Sequence, residues 1–171
     1  MTKSQRLRIC AERCGSKCCK STPPALTSED IIRINKHISN DKWIKKIEGS
    51  DKIVHIVKKK NETSDCHFLT ERNLCSIYDH RPLDCKLFPI FLKIKENTED
   101  SYRIKWLVWY CPLTQEIGLE TLLEEARRII EVYLEKEPQI VFEYQTAMYE
   151  SGGYKKKHFM KEEIITINKC E

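Results

Sequence analysis

Cysteine is the residue type of this chain whose positions could do chemistry: Cys10, Cys14, Cys18, Cys19, Cys66, Cys75, Cys85, Cys111 and Cys170. The first four form C-x3-C-x3-CC in a polar stretch, ICAERCGSKCCK, that offers little apolar burial. A free cysteine is often only a small buried hydrophobe. That account suits an isolated Cys111 or Cys170, but not four thiols in so short a polar segment. Thiolates ligate zinc and iron–sulfur clusters equally well, and a tetrahedral zinc or a cubane usually takes four of them. Metal ligation is therefore the expected chemistry. Adjacent thiols rarely both fit one small site, so Cys18 and Cys19 point to two sites, or to one ligand and one supporting thiol. An odd cysteine count fits a closed disulfide framework badly. The chain is also rich in Lys, Glu and Ile, a composition shared with some hyperthermophiles, where intracellular disulfides do occur.

These thiols need elements to aim them. If the N-terminal segment is helical, Cys10, Cys14 and Cys18 share a face; if it is a loop, Gly15 eases the turn. Residues 66–70 and 74–78 make a candidate hairpin around Glu71-Arg72-Asn73. A two-residue turn at Arg72-Asn73 would pair Thr70 with Cys75 and put Cys66 and Cys75 on one face. A three-residue turn would separate them.

Around this second set the chain alternates helical and extended signals. Thr27 reads as an N-cap, with Asp30 three residues on and Ile31, Ile34 and Ile38 at helical spacing through about Asn40. A short helical piece is expected at Trp43, Ile44 and Ile47, ended by Gly49. Residues 52–58 (KIVHIVK) read as a strand, and 90–95 with 102–109 as a hairpin turning through 96–100. Leu119, Leu122, Leu123, Ala126, Ile129, Ile130, Tyr133 and Leu134 define an amphipathic helix. Pro138 ends or follows it, and a further helix covers 139–150 before Gly152-Gly153. The tail with Ile164, Ile165 and Ile167 is a last strand or a disordered end. The expected fold is α+β: small antiparallel strands and hairpins flanked by helices around a cysteine-rich metal-binding core. One domain is expected over 1–171, with the cysteine-rich region at 10–111 and a helical extension at 114–151.

Composition limits the partners. The net charge is +4, from 30 basic and 26 acidic residues. The clusters Lys58-Lys59-Lys60 and Lys155-Lys156-Lys157 read as solvated loop ends, and they lack the interleaved aromatics of a single-strand platform. Nucleic acid is thus not the expected partner; a metal ion is, and a protein partner stays open. The N-terminus has no apolar signal region, and no apolar run approaches the roughly 18 residues of a membrane span. The expected location is cytoplasmic, where thiols stay reduced. None of the common nucleotide-binding, zinc-protease or serine-hydrolase motifs occurs.

The phrase C-x-IY-x-x-RP-x-x-C-x-x-FP stands intact from Cys75 to Pro89, preceded by the N-terminal C…CG…CC cluster and Cys66-His67-Phe68-Leu69. On these residues, the region 10–111 resembles the YkgJ-type CxxCxxCC family of zinc- or iron-chelating domains. It departs from the family in the three-residue N-terminal gaps and in Lys86, where arginine is usual. The resemblance implies a metal ligand set of Cys10, Cys14, Cys18, Cys19, Cys66, Cys75, Cys85 and Cys111, holding zinc or an iron–sulfur cluster. Cys170 has no counterpart. A related cysteine pattern in flagellin lysine N-methylase makes an iron–sulfur enzyme, or an accessory factor in redox or methylation-linked modification, the alternative. Arg81 and Lys86, flanking Cys85, are read as charges that offset buried thiolates. His67 and His80 are left outside the ligand set.

Overall fold

The computed structural model describes residues 3–50, 52–61, 63–155 and 157–167, so Lys156 and Cys170 lie outside the described residues. Two three-stranded antiparallel sheets and a set of helices make the α+β architecture. The first sheet has the order β1-β3-β2, with β1 at Ala25–Leu26, β2 at Ile44–Glu48 and β3 at Ile53–Val57. The second has the order β4-β5-β6, with β4 at Ile90–Asn97, β5 at Ser101–Val108 and β6 at His158–Thr166. The expected hairpin of β4 and β5 is present, with Leu92 opposite Trp106. The tail is a strand of nine residues along the free side of β5, pairing Tyr102 with Ile165.

Three helices connect and cover the sheets. The first, α3 (Ser28–Asn35), starts at the capping box read from the sequence: Asp30 N–H donates to Thr27 Oγ1 at 3.2 Å, and Thr27 N–H to Asp30 Oδ2 at 3.1 Å. It ends earlier than its isoleucine spacing suggests, and beyond it His37 stacks on His80 with centroids 3.5 Å apart. The amphipathic α6 (Leu119–Lys136) and α7 (Pro138–Glu150) follow, with Pro138 opening α7 rather than interrupting a helix. Helix α7 packs on β1, β3 and β4, bridging the two sheets. Its fully buried Tyr144 and Val141 join Ile90, Leu92, Ile104 and Trp106 in the larger core. A smaller core gathers Trp43, Ile34, Phe68 and Leu69.

The helical piece expected at Trp43–Ile47 is instead strand β2. Its Ile44 and Ile47 spacing imitates a helix, but so short a helix is marginal alone. Pairing with the β-branched β3 satisfies its backbone, while Trp43 seals the small core. Thr27→Ala, which removes half of the α3 capping box, is expected to lower stability by about 1 kcal/mol in urea unfolding.

Candidate metal centre

The N-terminal thiols sit on neither a single helix nor a plain loop. Helix α1 (Lys3–Arg8) widens into a π-helical stretch at Ile9–Arg13, breaks, and resumes as α2 at Lys17–Ser21. The break lies at Gly15 and Ser16, both left-handed, with φ of 56° and 54°. Glycine adopts that conformation freely, whereas serine needs help. Ser16 receives it: its Oγ donates to the Asn73 carbonyl at 2.7 Å, and its N–H to the Cys10 carbonyl at 2.8 Å. This turn separates Cys10 and Cys14 from Cys18 and Cys19, which no continuous helix would do. Cys18 and Cys19 keep their sulfurs 3.9 Å apart.

The hairpin that carries Cys66 and Cys75 takes the three-residue turn. Thr70 N–H donates to the Leu74 carbonyl at 2.8 Å, and Leu69 faces Cys75. Sheet parity does not then separate the thiols, because residues 66–69 are not extended: Leu69 N–H folds back to the Cys66 carbonyl at 3.0 Å. Cys66 is held from elsewhere, its N–H donating to the Cys19 carbonyl at 2.7 Å and its backbone facing Lys59. Cys85 stands on α4 (Leu83–Leu87), directly after the Arg81-Pro82 step, and Cys111 caps α5 (Pro112–Glu116).

These segments meet at one cavity of about 110 Å³, lined by Cys10, Cys18, Cys19, Cys75 and Cys85. Electrostatics links the remaining thiols to it in two groups. Cys10 responds to Cys14, Cys111 and Cys19, and Cys85 to Cys19, Cys66 and Cys75, while Cys18 responds to both Cys10 and Cys85, so the adjacent pair joins the two groups. Burial pushes the Cys10 and Cys66 thiols up to about 12, and also raises Cys75, Cys85 and Cys111. Cys19 is the exception: its sulfur contact with Cys18 lowers it, while Cys18 rises. All eight thiols are free. Among the described residues, no three His, Cys, Asp or Glu side chains are placed to hold a metal as they stand. The donor set is nevertheless all sulfur and partly shielded from water, which suits zinc or iron.

Arg81 lies 4.0 Å over the Tyr78 ring and donates to the Tyr78 carbonyl at 2.9 Å, and its charge favours the thiolate of Cys75. Lys86 is lowered by burial, and the charges that act on it are those of Arg33, Asp30, Glu29 and Arg81, with no thiol among them. Arg6, unremarked in the sequence, favours the thiolates of Cys10 and Cys111, and its Nε is buried without a partner. The lysine clusters are more than solvated ends. Lys59 Nζ donates to the Ser21 carbonyl at 2.9 Å, Lys60 Nζ to that of Leu69 at 2.6 Å, and Lys157 lines the cysteine cavity. No short motif marks Arg6 or Lys157; only the tertiary fold brings them in. Among the described residues, no helix is long and apolar enough to cross a membrane.

Compared with known families, residues 9–112 match a single family profile, CxxCxxCC, described as "Putative zinc- or iron-chelating domain". No curated protein and no solved structure matched the chain. The matched stretch takes in all eight of these cysteines, five of which line the cavity, and ends one residue after Cys111, before α6, α7 and β6 begin. With three-fifths of its length matched, the chain belongs to the CxxCxxCC family of zinc- or iron-chelating domains.

Proposed function

We propose that the protein is a noncatalytic thiolate metal binder, a chelator, carrier or metal-stabilised adaptor, with two four-cysteine sites for zinc or iron. The observation that carries this reading is the convergence of Cys10, Cys18, Cys19, Cys75 and Cys85 on one cavity, with Cys14, Cys66 and Cys111 close enough for their charges to act on these thiols. Cys19, Cys66, Cys75 and Cys85 would hold one ion. Cys10, Cys14 and Cys111 would hold the other, with Cys18 as the fourth ligand. The adjacent cysteines then serve different sites, which removes the crowding that two neighbouring thiolates meet in one. Four sulfurs close a zinc site and leave no position for substrate. Bound metal would supply cross-linking of five chain segments, and the chain supplies the shielding and the counter-charges.

Anaerobic purification followed by elemental analysis and a visible spectrum tests the proposal. The expected result is two metal ions per chain. Colourless protein with stoichiometric zinc opposes the iron–sulfur alternative; brown protein with acid-labile sulfide and absorbance near about 400 nm supports it. Protein that takes up neither metal overturns the reading. The thiols that burial raises must lose protons on loading, so zinc occupancy should fall as pH falls and loading should acidify the solution.

A further inference from the structure

We propose that Lys157, delivered by the chain beyond the family-matched region, is a counter-charge of the metal centre and sets its affinity. The inference rests on the thiolate reading above and adds a residue that the cysteine pattern does not contain.

Lys157 immediately precedes β6, and the pairing of β6 with β5 fixes where it enters the cavity. Its ammonium sits between two aromatic faces, 4.0 Å from the Trp109 ring centroid and 4.2 Å from that of Phe91. Phe88 packs edge-on against Phe91 and tilted against Trp109, which stiffens this seat. Aromatic faces attract a cation but do not neutralise it. Among the described residues, Lys157 makes no ion pair within 4 Å. The acidic groups that act on it are the carboxyl of Asp84, next to Cys85, and the thiol of Cys18.

A half-buried, unpaired ammonium is costly to keep. Burial lowers Lys157 to about 8, with Asp84 and Cys18 opposing that shift. Its two lysine neighbours in sequence do not share the position: Lys155 is exposed, and Lys156 lies outside the described residues. The arrangement makes sense if negative charge collects opposite the ammonium. A divalent ion on four thiolates is a net dianion, and such a complex gains from a fixed cation that is shielded from solvent. Arg6 and Arg81 are placed to serve the thiols of the matched region. Lys157 serves the same cavity from the other end of the chain.

The test is zinc affinity of the full chain, measured by competition with a chromophoric chelator, using zinc alone as the probe. Lys157→Met keeps the stem's length and apolar contacts but removes the charge; Lys157→Arg keeps the charge; exposed Lys155→Met is the control. Lys157→Met should weaken zinc binding about tenfold, with Lys157→Arg within about threefold of the parent and Lys155→Met unchanged. Circular dichroism and the unfolding midpoint of metal-free protein show whether the fold is kept, with Lys157→Gln as a second neutral variant. A parent protein without zinc binding sinks the thiolate reading itself. A parent that binds zinc, with neutral variants that bind as tightly, overturns only the role of Lys157. Neutral variants that both fail to fold without metal make Lys157 a structural residue, and also overturn it.

Discussion

Cys85→Ser is expected to empty one metal site and leave the other filled, halving the zinc content of the purified protein. Cys85 stands on α4 and feels Cys19, Cys66 and Cys75 together, the three thiols assigned with it to one site. Loss of a partner that merely orients a ligand costs about 10–100-fold in metal affinity. Loss of the ligand itself should exceed about a hundredfold at that site. Cys14→Ser should halve the content too, through the group of Cys10 and Cys111. The double variant should hold no zinc. Full occupancy in both single variants would show that neither thiol is a ligand, whereas a single variant that loses both ions would replace two sites by one shared centre.

Asp30→Ala should be the most damaging change away from the thiols, at roughly 3–5 kcal/mol, the range for removing one partner of a buried ion pair. Asp30 is fully buried, and its one carboxylate accepts three hydrogen bonds that tie α3 to α4. Oδ2 accepts from Thr27 N–H, closing the α3 cap; Oδ1 accepts from Leu83 N–H at 3.0 Å and from the Arg33 guanidinium. Arg33 in turn donates to the Arg81 carbonyl at 3.0 Å. Alanine would orphan the Leu83 and Thr27 amides and leave Arg33 half-buried with only Glu29 as an ion-pair partner. Because Leu83 opens the helix that carries Cys85, metal binding should weaken along with stability. Urea unfolding of the metal-free protein checks the first effect, and chelator competition the second. A loss below about 1 kcal/mol would mean that water or Glu29 takes over these bonds.

Much of this was open to sequence reading, for identifiable reasons. Thr27 and Asp30 announced a cap because the hydrogen bonds involved are local. The β4–β5 hairpin and α6 showed themselves through periodicity, which reports one buried face. The same logic misled at β2, where two isoleucines three apart fit a helix and the deciding contact was pairing with β3. Parity failed at Cys66 because the rule assumes an extended strand, and residues 66–69 form a turn. The cysteine positions identified the family, but the placement of Cys10 and Cys14 relative to Cys18 and Cys19 depends on the left-handed break at Gly15 and Ser16. That break is secured by Asn73, far along the chain. Lys157 was invisible as a site residue because a lysine run looks the same whether it is solvated or folded against Trp109.

The cavity draws its walls from both ends of the chain, and that has a consequence in time. A ribosome adding about 5–20 residues per second releases Cys10 to Cys19 roughly 7–30 s before Lys157 and β6 appear. For the first part of that interval the four thiols stand on a short polar segment without Cys85 and Cys111, and for all of it without Lys157. On the proposed reading, any metal captured then would be bound by an unfinished and exchangeable set, and selection between metals would begin only once β6 has brought Lys157 to the cavity.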